Sequence, residues 1–207
     1  MRKSNYDVTR DQMREEFLKF DQETMIRKFS LEHDGDYLYI PFVLRRYRIG
    51  RKNGVVERTE DGFSSVEEAD FSESMTIYDV LCTSKPDCRL AGRFCPADSL
   101  RGTVSSLNAD SSLFSRDAER FRGKTEKLRR ACSLLGTPAD MSGDAAFILY
   151  PFPFLPVTLQ FWDADEEFPA NLKFMFDENI LDFMHFETTF YMTGHILRRL
   201  GELTERE

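Results

Sequence analysis

Four carboxylates, Asp163, Asp165, Glu166 and Glu167, follow directly on Trp162, the only tryptophan of the chain. Carboxylates gathered on a loop can ligate a hard divalent cation through oxygen, and acids beside large aromatic side chains line small-molecule pockets. Glu166 and Glu167 are adjacent and point in different directions in most backbone conformations, so the four do not ligate together. An EF-hand is excluded, because its twelve-residue spacing and central glycine are missing. Trp162 before the acids and Phe168 after them can act as flat walls, so Trp162, Asp163, Asp165, Glu166, Glu167 and Phe168 form the candidate ligand-binding set. A metal set of Asp163, Glu167 and His185 follows if the last helix packs on the acid loop, with His185 able to serve as acid or base. The structural alternative is that the acids face water and cap backbone amides in a turn, while the aromatic residues fill the layer between sheet and helices.

Other chemistries find less support. No Ser-His-Asp order, Gly-x-Ser-x-Gly elbow, Walker loop or Gly-x-Gly-x-x-Gly is present, which removes the usual warrant for a hydrolase or a nucleotide-binding protein. Cys82, Cys88, Cys95 and Cys132 are separated by five, six and thirty-six residues. That spacing fits neither a zinc knuckle nor a redox pair, so reduced thiols are expected. His33 falls in a turn. His195 lies on a polar helix face with Thr188, Tyr191 and Arg198.

The elements that must position these residues can be read from periodicity. A helix is predicted from about Asp7 to Phe29, with Asp7 or Thr9 as cap and Met13, Phe17, Phe20 and Met25 on its buried stripe. Tyr37–Phe42 and Leu44–Ile49 are strands by composition, and Pro41 marks a bend or an edge. Asn53-Gly54 suits a type I′ turn, which pairs Tyr47–Arg51 with Val55–Thr59. Glu60–Ser74 reads as an acidic surface loop, Thr76–Cys82 as one or two helical turns, and Thr83–Thr103 as broken by Pro86, Gly92, Pro96 and Gly102. Phe114, Ala118, Phe121, Thr125, Leu128, Cys132 and Leu135 give one amphipathic helix that stops at Gly136-Thr137-Pro138.

Ala145–Tyr150 and Val157–Trp162 then form buried strands joined by a stiff extended connection, Pro151 to Pro156. Leu172–Phe176 is a third strand, and Asp177 caps a helical turn. The final helix runs from about Glu187 to Leu203, burying Phe186, Phe190, Leu197 and Leu200.

The 207 residues are 41% hydrophobic and 31% charged, with nineteen phenylalanines, so they can bury a substantial core. A net charge of -8 argues against a nucleic-acid binder. Charge is uneven: Glu57–Asp79 carries eight acids against one base, whereas Arg45–Lys52 and Arg116–Arg130 are basic. No apolar core of a signal peptide follows Met1–Asp7 and no run reaches a membrane span, so cytoplasmic localisation without membrane contact is expected.

Gly143-Asp144-Ala145-Ala146, the proline-punctuated run to Leu155-Pro156, Trp162-Asp163-Ala164-Asp165-Glu166-Glu167-Phe168-Pro169-Ala170 and Phe176-Asp177 resemble the signature of the prokaryotic domain of unknown function 3786 family. The hairpin Tyr47–Val56 is similar to that family's N-terminal half. The resemblance implies a bacterial protein of anaerobe type, with relatives joined to an iron–sulfur module or associated with corrinoid and one-carbon proteins, and it brings no activity. This chain lacks a four-cysteine cluster module and the Asp-x-His-x-x-Gly loop that supplies a ligand to cobalt in many corrinoid proteins.

The expected fold is α+β, one domain over residues 1–207 with an irregular middle at 60–110: a mixed, mainly antiparallel sheet flanked by helices, with a long C-terminal helix. The leading functional reading is an accessory, small-ligand-binding protein linked to corrinoid or one-carbon metabolism, with a small molecule or a corrinoid or iron–sulfur protein as partner. One rival is a metal-assisted enzyme using the loop Asp163–Glu167. The other is a protein-interaction module docking through Arg116–Arg130.

Overall fold

The computed structural model describes residues 4–100 and 114–206. The fold is α+β, and both of its sheets are antiparallel throughout. The chain sorts into two compact units, Met1–Cys88 with Asp182–Met192, and Arg89–Leu181 with Thr193–Glu207. Among the described residues no helix is long and apolar enough to cross a membrane.

In the first unit, β1 (Glu32–His33), β2 (Tyr37–Phe42), β3 (Arg45–Gly50), β4 (Val56–Thr59) and β5 (Glu67–Glu68) lie side by side in sequence order. Period-two alternation buries Leu38, Ile40 and Phe42 of β2 and Tyr47 and Ile49 of β3. Pro41 is tolerated because β1 pairs only with Leu38 and Tyr39, so β2 is an edge at the proline.

Four local expectations are corrected here. The predicted first helix is two, α1 (Asn5–Phe17), capped by Ser4, and α2 (Gln22–Phe29), because Asp21 is extended and accepts from Glu23 N–H as a new N-cap. Phe20 falls in the break and is exposed. Asn53-Gly54 is not a type I′ turn. Gly50 N–H donates to Val55 O across a longer loop in which Gly54 has φ +68°, and a Cβ there would sit 2.7 Å from Arg14 O. The positive φ pair lies instead at Val43 and Leu44, +45° and +63°, between β2 and β3. Lastly, the acidic loop gives way at Phe71 to a thirteen-residue helix, α3 (Phe71–Thr83). It is buried almost all round, as a central helix is.

A capping box starts α3: Asp70 accepts from Glu73 N–H and Glu73 from Asp70 N–H. The Glu73 carboxylate is fully buried and also accepts from Arg58 at 2.6 Å, Tyr47 Oη at 3.0 Å and Arg45 at 3.4 Å. One carboxylate thus ties the helix start to two strands. Desolvation beside this anion pushes the Tyr47 phenol far above its ordinary range.

The second unit holds β6 (Phe94–Cys95), β7 (Gly136–Pro138), β8 (Ala145–Phe152), β9 (Leu155–Trp162) and β10 (Asn171–Asp177), in the order β6-β10-β9-β8-β7. The segment from Pro151 to Pro156 is no extended connection. It closes a hairpin in which Phe152 pairs with Leu155, and the prolines fit because the register shifts between Leu149 and Phe152. The helix predicted over 114–135 is α4 (Ser115–Arg120) and α5 (Thr125–Leu135), broken where Gly123 takes φ +67°. The stripe itself holds: Ala118, Phe121, Leu128, Cys132 and Leu135 are buried. The buried Asp177 accepts from Asn179 N–H, as a cap to the following turn, and also from the amides of Ala91 and Gly92. The long C-terminal helix, α6 (Phe186–Arg206), belongs to the first unit as far as Met192 and to the second from Thr193.

Replacing Glu73 with Ala leaves Arg45 and Arg58 facing a void and removes the Glu73 half of the capping box, the acceptor for Asp70 N–H. The expected cost is about 3 kcal/mol, read as a lower urea midpoint at unchanged slope. A loss below about 0.5 kcal/mol, the usual size for a surface change, contradicts the buried tie.

Candidate functional site

At the end of β9 the pairing Trp162 with Asn171 is the last rung of the ladder to β10, and residues 163–170 form the loop between them. On the other side, Asp144 extends the pairing of β8. Its N–H donates to Phe161 O at 2.8 Å, and its Oδ2 accepts from Asp163 N–H at 2.7 Å. A cleft of about 600 Å³ opens here, lined by Asp144, Trp162, Asp163, Asp165, Phe168 and Asn171, among others. Its floor is the strand end, its rim is the acid loop, and Phe168 stands 66% exposed at its side. That exposure matters, since a phenylalanine of the core would be covered.

Each acid has a different role. Asp163 Oδ1 accepts from Gly123 N–H at 2.9 Å and Ala164 N–H at 2.8 Å, and Oδ2 from Thr125 Oγ at 2.8 Å. It therefore clamps the turn between α4 and α5 to the end of β9, supplying an acceptor and a negative charge at the start of α5. Burial is the largest influence on this carboxyl and raises its pKa, but the hydrogen bonds from Gly123, Thr125 and Ala164 and the charge of Arg122 together hold it below the ordinary value. Asp165 Oδ1 accepts from Phe168 N–H at 2.7 Å and Glu167 N–H at 2.8 Å, closing an Asx turn. The amides of Phe168 and then Glu167 lower its pKa. Glu166 and Glu167 are exposed and do not line the cleft.

A smaller concavity of about 280 Å³ lies at the start of α5, lined by Gly123, Lys124, Thr125, Glu126, Lys127 and Asp163. Asp163 is common to both hollows, so the clamp is the wall between them.

His185 is engaged within the first unit. Its Nδ1 lies 2.6 Å from Asp79 Oδ1, and its backbone N–H donates to Asp79 Oδ2 at 2.7 Å. Thr188 and Thr83 donate their hydroxyls to the same buried carboxylate at 2.5 and 2.8 Å. Asp79 on α3 thus caps the start of α6. Among the described residues no three His, Cys, Asp or Glu are arranged to hold a metal ion. The cysteines are free thiols; Cys82 and Cys132 are buried, and desolvation pushes both up to about 12. His195 is buried with its Nδ1 2.7 Å from Arg198, and His33 lies on β1.

Sequence reasoning passed over Asp144 and Asp79. Asp144 was legible as part of the turn before β8 and of the run Gly143–Ala146 that carries the family resemblance, but its alignment with Asp163 depends on strand register. Asp79 had one local signal, the burial of the helix that carries it. The basic segment Arg116–Arg130 is split between α4 and α5, and its arginines stay exposed: Arg120 pairs with Glu205 at 2.8 Å, Arg122 with Glu119 at 2.9 Å, and Arg129 donates to Asp144 O.

These features define an α+β protein with a cleft at a strand end. The family described as Domain of unknown function (DUF3786) matches residues 21–199, and the chain belongs to it. No curated protein and no solved structure matches the chain.

The clamp gives a pH-dependent expectation. Because the folded pKa of Asp163 lies below the unfolded one, its stabilisation is complete above about pH 4 and fades as pH falls through the depressed value. Asp163→Ala should cost about 1 to 2 kcal/mol at pH 7 by urea unfolding, and the gap from the parent should narrow at pH 3. A gap equally wide at both pH values contradicts the ionic clamp.

Proposed function

We propose that this protein is a cytoplasmic accessory protein that binds a small organic ligand in the cleft at the end of β9. The observation that carries this reading is that Trp162 and the exposed Phe168 both line a cleft of about 600 Å³, a size that suits a small-molecule site. An exposed phenylalanine beside such a cavity gains contact area when a flat molecule lies on it. Binding is favoured over catalysis because the three acids lining the cleft, Asp144, Asp163 and Asp165, are each fixed by backbone amides, Asp163 by a hydroxyl as well. That arrangement holds a surface rigid and does not move a proton. The resemblance of residues 162–170 adds a corrinoid, one-carbon version of the reading, in which one edge of a tetrapyrrole rests on Trp162 and Phe168 and a corrinoid or iron–sulfur protein is the partner.

The test uses Trp162 as the sole indole reporter. Cobinamide, haem, benzyl alcohol and benzamidinium are titrated into the protein while its fluorescence and its indole N–H resonance are followed. A saturable change with at least one of them is expected, weakened about fivefold or more in Phe168→Ala, the size of one lost aromatic contact. No saturable response to any of the four overturns the proposal.

A further inference from the structure

The cavity sets where a ligand would sit, and its wall chemistry sets the charge that ligand must carry. No lysine or arginine is among the described residues lining the cleft, whereas Asp144, Asp163 and Asp165 are. Of the described cations around it, Lys124 and Lys127 line the smaller hollow on the other side of Asp163, and two arginines make contacts of their own. Arg129 donates to the backbone oxygen of Asp144 and not to its carboxylate, and Arg122 pairs with Glu119. The three acids also differ in what they have left to give. Asp163 is saturated by its clamp, but the described hydrogen bonds of Asp144 use only Oδ2 and those of Asp165 only Oδ1. One oxygen on each of two acids remains for a donor in the cleft, and both carboxylates are already fixed in orientation by the amides they hold.

An anionic ligand would meet three carboxylates and no described lining cation here, and a neutral one would leave the two oxygens to water. A flat cation meets both demands, because its face can lie on Phe168 or Trp162 while its N–H groups reach carboxylate oxygens. We infer that the cleft takes a planar organic cation of the amidinium or guanidinium class. This inference rests on the cleft being the binding site, and goes beyond that reading by fixing the sign and shape of what binds.

Three isosteric fragments separate the two claims: benzamidinium, benzyl alcohol and benzoate, each titrated at low salt against the indole N–H resonance of Trp162. Benzamidinium should bind about tenfold more tightly than benzyl alcohol, with benzoate weakest, and the advantage should shrink as salt is raised. The double variant Asp144→Asn/Asp165→Asn keeps an acceptor oxygen for each backbone amide, so benzyl alcohol should bind it as before while the cationic advantage falls to about twofold or less. Glu166→Gln/Glu167→Gln removes the same formal charge outside the cleft and should leave the preference intact. Equal binding of benzamidinium and benzyl alcohol, tighter binding of benzoate, or equal loss in both double variants overturns the inference while leaving a ligand-binding cleft in place. Silence of all three fragments at Trp162 overturns the inference, and the binding proposal with it if cobinamide and haem are silent too.

Discussion

The second unit depends on one ionised carboxylate at the end of a strand. Asp163 takes up amide and hydroxyl donors at the start of α5 that the helix itself cannot satisfy, and its own N–H is held by Asp144 from the neighbouring strand. Strand, helix start and hairpin end are thereby locked at a single point. The cleft exists because that point is rigid: with β9 and α5 joined there, the loop of residues 163–170 must arch outward, and its second acid, Asp165, closes the arch as an Asx turn. Phe168 is carried out of the core by the same arch.

The same device recurs in the first unit. Glu73 joins the start of α3 to β3 and β4 through Tyr47, Arg45 and Arg58, and Asp79, which also accepts from Thr83 of its own helix, joins α3 to the start of α6 through His185 and Thr188. Asp177 fixes the loop at Ala91 and Gly92. In each case a buried acid is placed where backbone amides would otherwise lack acceptors, so its desolvation is offset by charge-assisted hydrogen bonds. The acidic balance of the chain is thus in part architectural. This is why the acids lining the cleft divide into Asp163, which holds the fold, and Asp144 and Asp165, which also line it while fixing backbone amides.

The sequence made the α+β class, the period-two strands, the buried stripe of α4 and α5 and the aromatic–acid juxtaposition at Trp162 legible, because each is written in local periodicity or composition. What it hid was set by contacts distant in sequence. The breaks at Asp21 and Gly123 interrupt stripes that continue across them, so hydrophobic spacing alone reads through both. Val43 and Leu44 adopt left-handed conformations that neither prefers, Val43 being buried and Leu44 largely outside the core. Asp70 and Glu73 did carry a local signal for α3, the capping-box spacing, and the surrounding acids masked it. His185 illustrates the limit for sites: its type suggests a ligand or a base, but its partner, Asp79, lies 106 residues away.

The claim that matters most is that the hollow beside Trp162 is where this protein meets its ligand. Backbone amide shift mapping with benzamidinium tests it most directly. The account predicts that the largest displacements fall at Asp144 and from Trp162 to Asn171, with the amides around Asp79 and His185 unmoved. Displacements centred on any other part of the chain, or spread evenly over its surface, would contradict it.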